Sequence, residues 1–145
     1  MEKLFVYGSM KKNFLNHDRI LKANSTFISA ATTVESYIMY PDSQYLFPYM
    51  IELSNKESFP IKGEIYSVPT SYIKDVIDVL EGCPNFYYRK RIKVRDTDLN
   101  IHEVYVYFLN PLNKDINYDD GFQINEWILN HQENGLKLNN FYNLK

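Results

Sequence analysis

Two short segments contain residue types from which a reaction site could be built. The first segment follows an apolar run and comprises Val6, Tyr7, Gly8, Ser9 and Met10. A strand that ends in glycine and serine makes a turn whose backbone N–H groups can point at a ligand oxygen, although most such turns are only structural. The second segment, Asp78–Gly82, closes a helical pattern and contains Glu81.

Glu81 is the residue of the second segment that could exchange protons. A carboxylate at a helix C-terminus is disfavoured by the helix macrodipole. Burial beneath the aromatic residues 86–88 would raise its pKa further, as a general acid/base near neutral pH requires. The alternative is a solvated carboxylate, or one paired with Arg89 or Lys90, and the residue types alone leave both interpretations open. Asp78, one turn earlier, is expected at the surface or in support of the site.

Nucleophilic and metal chemistry have weaker support in the sequence. Cys83 is the single cysteine, so no intrachain disulfide can form. It could act as a nucleophile only if a histidine met it in the fold, and the spacing favours none of His17, His102 and His131. The sequence contains no His-Glu-x-x-His or Cys-x-x-Cys pattern, so we expect no metal site.

Alternating and apolar runs predict a domain rich in strands. Short strands are expected at 3–7, 26–34, 36–40, 49–53 and 61–66. Two longer alternating runs at 86–95 and 101–109, joined by a polar turn, are typical of a hairpin. Pro41 and Pro48 mark loops, because proline removes a ladder donor. We expect one α+β domain over residues 1–145, with strands that curl into a small barrel.

Three helices are predicted beside the strands. Asn16 is the expected N-cap of a short helix at 16–21. A longer helix begins near Thr70, because apolar residues recur at i, i+3, i+4 and i+7: Ile73, Val76, Ile77 and Leu80. Gly82 follows at the position where glycine commonly ends a helix. A last helix over 121–133 is expected to have one face formed by Ile124, Trp127, Ile128 and His131, with Gly135 just beyond it.

The net charge and the lengths of the apolar stretches bear on whether the protein binds nucleic acids or membranes. The net charge of -2 gives no overall reason to expect nucleic acid or an anionic membrane. The one basic concentration, at 89–95, lies in an alternating strand pattern, so its charges divide between two faces. No apolar stretch approaches the roughly 20 residues of a membrane span, and no signal-peptide core precedes the first strand. We therefore expect a cytoplasmic protein without a nucleic-acid or membrane partner, and its oligomeric state stays open.

Together the two segments resemble the gamma-glutamylcyclotransferase-like family. In that family an N-terminal strand runs into Tyr-Gly-Ser/Thr-Leu/Asn, and a later helix ends in Leu-Asp-x-x-Glu-Gly before an aromatic-arginine strand. The matching parts here are Val6–Met10, Ile77–Gly82 and Tyr87–Val94, and Gly63–Tyr66 resembles the family's Gly-x-Leu/Val-Tyr strand. Four matches in the right order over residues 4–94 make the resemblance specific.

The resemblance implies a fold and a reaction. The fold is a small mixed β-barrel with flanking helices and a cavity above the Tyr7–Met10 loop. The reaction releases 5-oxoproline and a free amine from a gamma-glutamyl amine or amide, with Glu81 as general acid/base and without a cofactor. The residues implied in substrate binding are Tyr7, Gly8, Ser9, Met10, Tyr87, Tyr88 and Arg89. Arg89 either pairs with the substrate carboxylate or braces its strand, and we favour the brace.

Two positions depart from the family pattern. Met10 replaces leucine or asparagine, a mild change if the loop works through its backbone. Asn13 stands where short members often have glycine, and asparagine tolerates the left-handed conformation. The pair Asn16-His17 resembles the gamma-glutamylamine cyclotransferase subgroup. The alternatives are a catalytically silent small-molecule-binding protein of the same fold and an amidase that depends on Cys83.

Overall fold

Strands dominate the protein, whose computed structural model describes residues 1–52, 58–112 and 123–133. Within these ranges the strands are β1 (Glu2–Val6), β2 (Thr26–Pro41), β3 (Pro48–Ile51), β4 (Phe59–Val68), β5 (Tyr87–Asp96) and β6 (Ile101–Leu109). A π-helical turn, α1 (His17–Leu21), follows β1. Helix α2, between β4 and β5, consists of the consecutive segments Thr70–Tyr72, Ile73–Ile77 and Asp78–Leu80. Residues 129–133 form a third short helix, α3.

Five of these strands close into a barrel, as predicted. The order in the sheet is β3-β2-β4-β1-β6-β5, and β2 also pairs with β5, which joins the two sides. Strand β1 runs parallel to β6, and the other pairings of the described strands are antiparallel. Strand β2 reaches several neighbours because it is 16 residues long and shifts register between Thr32 and Ser36. The two strands predicted at 26–34 and 36–40 are therefore one bulged strand.

Two buried layers hold the fold together. One contains residues from all five barrel strands and fills the interior, including Phe5, Ile65, Val94, Val106 and Phe108. The other joins the outer face of the barrel to α1 and α2, including Leu4, Leu21, Ile73, Ile77 and Tyr107. Successive side chains of a strand point to opposite faces. Along β1 and the residue after it, Phe5 and Tyr7 therefore pack in the barrel interior, whereas Leu4 and Val6 pack in the layer that contacts the helices. The end of β1 therefore lies where both layers meet.

Helix α2 confirms most of the predicted helical pattern. Ile73 and Ile77 are buried against the barrel, and Gly82 ends the helix with a φ of +63°. Leu80, expected on the same face, is instead 57% exposed. The middle segment is π-helical, so each turn contains more residues than an α-helical turn, and the buried face drifts away from Leu80. No helix in the described ranges is long and apolar enough to cross a membrane.

Asn16 occupies the predicted N-cap position of α1, but the expected capping by its side chain does not occur. The Asn16 side chain makes no capping hydrogen bond to α1. Its amide Nδ2 donates instead to Oγ of Ser9 at 2.8 Å. This bond fixes α1 to the loop after β1.

The last predicted helix is also shorter than expected within the described residues. Helix α3 begins at residue 129, and Ile124 forms a β-bridge with Met39, with its N–H 2.9 Å from the Met39 carbonyl. Pairing with β2 therefore outcompetes the helical period over 123–128. Trp127 is fully buried as expected, whereas Ile128 is 41% exposed. Residues 121–122 and Gly135 lie outside the described residues.

Candidate active site

A cavity of about 440 Å³ lies where the end of β1, the turn α1 and the end of α2 meet. Its lining combines the two segments singled out in the sequence with residues of α1, β5 and β6. The polar and aromatic part of that lining comprises Phe5, Tyr7, Ser9, Asn16, Arg19, Phe47, Glu81, Phe86, Tyr87 and Tyr107. The fold thus brings together segments that are far apart in the chain.

Glu81 is the C-terminal cap residue of α2 and contributes its carboxyl to the cavity. Its main chain is fixed, because its N–H donates to the Ile77 carbonyl at 2.9 Å and its carbonyl accepts from the Tyr87 N–H at 3.3 Å. Burial raises the pKa of the carboxyl to about 7. The residue as a whole keeps partial exposure, so the carboxyl is desolvated yet open to the cavity. A carboxyl in this state can both accept and donate a proton near neutral pH.

The two cations considered as partners of Glu81 bind elsewhere. Arg89 forms an ion pair with Asp78, and Lys90 forms one with Glu52. Among the described residues, no side chain donates a hydrogen bond to the Glu81 carboxyl or forms an ion pair with it. The interpretation of Glu81 as half of a salt bridge with Arg89 or Lys90 is therefore wrong, and its carboxyl is available to a ligand.

Asp78 holds the end of α2 against the hairpin. Its carboxylate accepts hydrogen bonds from Arg89 Nε at 2.9 Å and Arg89 Nη2 at 3.2 Å, and from the Tyr107 hydroxyl at 2.5 Å. The Arg89 guanidinium also lies over the Tyr105 ring, 4.3 Å from its centroid. Arg89 thus braces β5 against α2, the role favoured from the sequence, and Asp78 supports the site without lining the cavity.

The loop after β1 lines the cavity with Gly8, Ser9 and Met10. Its carbonyls are occupied, since Ser9 accepts from the Asn16 N–H at 2.8 Å and Met10 accepts from Nδ1 of His17 at 2.9 Å. The backbone N–H groups of Gly8, Ser9 and Met10 have no acceptor within the part of the chain that the structure describes. Successive free N–H groups form a concavity that suits an anionic or carbonyl oxygen.

Two positions in and beside this loop require special backbone properties. A Cβ on Gly8 would lie 2.8 Å from Cδ of Pro48, so the approach of β3 to the loop requires glycine. Asn13 has a φ of +73°, so it adopts the left-handed conformation. This confirms that asparagine can replace the glycine that short family members often have at this position. The loop therefore keeps its shape despite the departure from the family pattern.

Three tyrosines surround the Glu81 end of the cavity. The Tyr7 hydroxyl donates to the Tyr107 carbonyl at 2.5 Å. Burial raises the pKa values of Tyr7, Tyr87 and Tyr107, and the nearby charge of Glu81 raises them further. These phenols therefore stay neutral, and they can donate hydrogen bonds but cannot serve as bases.

Two residues predicted to bind substrate do not line this cavity: Tyr88 and Arg89. Tyr88 donates from its hydroxyl to Glu52 at 2.7 Å, and its ring stacks on Phe108. Successive side chains of a strand point to opposite faces, so Tyr87 can face the cavity only if Tyr88 faces away. The prediction that both tyrosines flank the substrate is therefore corrected.

Tyr107 is a lining residue that the sequence analysis missed, although a signal existed. In the hairpin Tyr107 of β6 pairs with Arg89 of β5. Arg89 is two residues from Tyr87, so all three side chains lie on the same face of the sheet. The hairpin register would therefore have placed Tyr107 beside Tyr87. Arg19 and Phe47 were also missed, and they come from a turn and a loop that no periodic pattern describes.

Cys83 and the histidines considered as its partners do not line the cavity. Cys83 is partly buried, and neither it nor any of the three histidines belongs to the lining. The described residues contain no group of three or more His, Cys, Asp or Glu side chains that could hold a metal ion. The arrangement therefore offers acid/base and hydrogen-bonding groups rather than a paired nucleophile.

Comparison with known proteins identifies the family of this chain. The sequence model of the family described as gamma-glutamyl cyclotransferase, AIG2-like, matches residues 4–129. A Methanocaldococcus jannaschii protein with a provisional gamma-glutamylcyclotransferase assignment is 42% identical over 109 residues, which are 74% of this chain and 84% of that protein. The gamma-glutamylaminecyclotransferase of Rattus norvegicus is 33% identical over 98 residues, which are 66% of this chain and 64% of the rat protein. The crystal structure of an AIG2-like protein from Mus musculus has a TM-score of 0.69 at 25% identity, covering 83% of this chain and 86% of that chain. This chain belongs to the gamma-glutamyl cyclotransferase, AIG2-like family.

Proposed function

We propose that the protein is a gamma-glutamyl cyclotransferase that releases 5-oxoproline and a free amine from a gamma-glutamyl amine or amide. Family membership supports a cyclotransferase-type enzyme. The observation that carries the mechanism is the state of Glu81, whose carboxyl lies in the cavity with its pKa raised to about 7 by burial. Glu81 is the general acid/base of this proposal.

The reaction needs one proton to move between two nitrogens. The α-amine of the gamma-glutamyl group attacks the γ-carbonyl carbon, a C–N bond forms to close a five-membered ring, and the original amide C–N bond breaks. Glu81 accepts the proton from the attacking nitrogen and returns it to the leaving nitrogen. A pKa of about 7 keeps both protonation states of Glu81 populated at neutral pH.

The protein must also orient the gamma-glutamyl chain and stabilise the negative charge that develops on its carbonyl oxygen. Because the attack is intramolecular, the protein has mainly to hold the gamma-glutamyl chain in its curled form. The free N–H groups of Gly8, Ser9 and Met10 support a role in holding the carbonyl oxygen as it gains negative charge. Tyr7 and Tyr107, neutral and buried, exclude water from the carboxyl.

An amine-type leaving group is favoured over glutathione. The rat relative is named for gamma-glutamylamines, and the Asn16-His17 pair resembles the same subgroup. Asn16 lines the cavity, so one residue of this pair belongs to the candidate site. The amidase alternative loses support, because Cys83 does not line the cavity.

A substrate panel tests the proposal. The purified protein is incubated with gamma-glutamyl-ε-lysine, gamma-glutamyl dipeptides and glutathione, and 5-oxoproline is measured. We expect 5-oxoproline from at least one gamma-glutamyl amine or amide, with unchanged rates in the matched variant Cys83→Ala. Loss of product in Cys83→Ala would support the amidase instead. Binding of these compounds without any 5-oxoproline would support the catalytically silent binding protein.

A further inference from the structure

Lys11 is a buried cation that the function proposed above does not use. The residue is 6% exposed and does not line the cavity. Its Nζ donates a hydrogen bond to the Trp127 carbonyl at 2.5 Å and lies 4.7 Å from the centroid of the Phe14 ring. In residues 1–52, 58–112 and 123–133 it forms no ion pair, and burial lowers the pKa of its amine. A buried charge without an ion pair costs free energy that an apolar residue would avoid, so Lys11 is a candidate for a specific role.

The main chain of Lys11 belongs to the turn that shapes the cavity loop, residues 8–10. The Lys11 N–H donates to the Gly8 carbonyl at 3.0 Å, and the Lys11 carbonyl accepts from the Phe14 N–H at 3.0 Å. These bonds make residues 8–14 one hydrogen-bonded unit. Whatever holds Lys11 in place therefore also holds the cavity loop.

The acceptor of the buried amine lies in residues 123–133, which are fixed to the barrel. The Asn125 carbonyl accepts from the Lys62 N–H of β4 at 2.9 Å, beside the bridge of Ile124 to β2. Trp127 is fully buried and packs with residues of the barrel interior. The Trp127 carbonyl is therefore held in place by contacts that do not involve the cavity loop.

A second hydrogen bond joins the same two parts of the chain. The Leu15 N–H donates to Oε1 of Gln132 at 2.8 Å. Gln132 is 9% exposed and does not line the cavity. Residues 123–133 thus hold the chain that follows the cavity loop at two points, Lys11 and Leu15.

We propose that Lys11 and Gln132 are positioning residues, through which residues 123–133 hold the cavity loop in the geometry that catalysis requires. The proposal rests on the proposed function, in which the N–H groups of this loop act on the carbonyl oxygen of the substrate. Without the two bonds the loop can shift, and the negative charge on that oxygen is less well stabilised. The loss falls on kcat more than on KM, because this charge is larger in the transition state than in the bound substrate.

Two lysines that are neighbours in the sequence provide a matched test. Lys11→Met keeps the length of the side chain and removes its donor, and Lys12→Met makes the same change at an exposed position. Hydrogen exchange of the Phe14 and Asn16 backbone N–H groups, which bond the Lys11 and Ser9 carbonyls, is measured by NMR. We expect about tenfold faster exchange of both in Lys11→Met, with unchanged exchange in β4 and wild-type exchange throughout in Lys12→Met.

The kinetics of 5-oxoproline release separate positioning from support of the fold. We expect kcat of Lys11→Met to fall by about tenfold or more, with KM within about twofold of wild type. Gln132→Met should show the same pattern. Gln132→Glu keeps an acceptor oxygen for the Leu15 N–H and should lose less of kcat than Gln132→Met.

The contrary outcomes are distinct. Lower stability of Lys11→Met with unchanged kcat and unchanged exchange of the two N–H groups would show that the lysine only supports the fold, and it would overturn the proposal. A fall in kcat that Lys12→Met matches would overturn it as well. If Lys11→Met does not fold, the same measurements on Gln132→Met and Gln132→Glu decide in its place.

Hydrogen exchange also separates a failure of this inference from a failure of the proposed function. If the wild-type protein forms no 5-oxoproline, the proposed function fails, and exchange alone judges the two positioning residues. Faster exchange confined to Phe14 and Asn16 in Lys11→Met then supports the hold of residues 123–133 on the cavity loop, and exchange equal to that of Lys12→Met overturns it.

Discussion

The Tyr107 hydroxyl donates a hydrogen bond to Oδ1 of Asp78 at 2.5 Å, which ties strand β6 to the end of helix α2. Arg89 of β5 donates two further bonds to the same carboxylate. The main-chain oxygen of Tyr107 accepts the Tyr7 hydroxyl, also at 2.5 Å. Tyr107 therefore links the helix that ends at Glu81 to the segment between β1 and the loop that lines the cavity.

Asp78→Asn should destabilise the protein and misplace Glu81. The change removes the ion pair with Arg89, whose side chain is only 18% exposed, and leaves part of its guanidinium without an acceptor. We expect the free energy of unfolding to fall by about 1–3 kcal/mol in a urea titration, together with a lower kcat. Asp75→Asn, an exposed change on the same helix, is the control and should stay within about 0.5 kcal/mol of wild type. Equal stability of the two variants would contradict the role of Asp78.

Gly8→Ala should disturb the loop through Pro48. The added Cβ would meet Cδ of Pro48 at 2.8 Å, so the loop and β3 must separate. We expect a stability loss of about 1–3 kcal/mol and at least about a tenfold fall in kcat/KM. The double variant Gly8→Ala with Pro48→Ala removes the clash and should recover part of both losses in a double-mutant cycle. Strictly additive losses would show that the contact with Pro48 is not the cause.

Glu81→Gln should stabilise the protein at alkaline pH. The folded state raises the pKa of this carboxyl from 4.5 to about 7, so between these values it binds more protons than the unfolded state. The Glu81 contribution to stability therefore falls as pH rises from about 4.5 to 7 and is constant above that range. At pH 8 we expect the glutamine variant to be more stable by up to about 3 kcal/mol, with little difference near pH 4. The opposite pH dependence in parallel urea titrations would refute the raised pKa.

The pH dependence of catalysis should report the same group. Glu81 must be ionised in the free enzyme to accept a proton, so kcat/KM should rise with pH through an apparent pKa of about 7. Deprotonation of the substrate amine adds a separate rise at higher pH. A profile that is flat between pH 6 and 8 would show that the ionisation of Glu81 does not limit the reaction.

Local patterns predicted the elements that position the site. The spacing of Ile73 and Ile77 predicted α2, and the alternating runs predicted the β5–β6 hairpin, because both patterns depend on burial of one face. The glycine at position 82 predicted the helix end beside Glu81. The raised pKa of Glu81 was expected from burial together with the helix dipole, and burial is its cause in the structure.

Features that depend on contacts between distant parts of the chain could not be predicted in this way. The Asn16 side chain bonds Ser9 instead of capping α1, and Ile124 pairs with β2 instead of continuing a helix. In both cases a tertiary partner outcompetes a local preference. The choice of Asp78 rather than Glu81 as the partner of Arg89 has the same origin, because the packing of α2 on the hairpin decides which carboxylate the cation reaches.

The most direct test of the central role of Glu81 is the initial rate of 5-oxoproline release by the wild-type protein and by Glu81→Gln. Both are measured at pH 7.5 with saturating substrate from the panel above, after circular dichroism has shown that the variant is folded. A general acid/base contributes about 10²- to 10⁴-fold, so the glutamine variant should lose at least about a hundredfold in kcat. A kcat within about threefold of wild type would contradict the account.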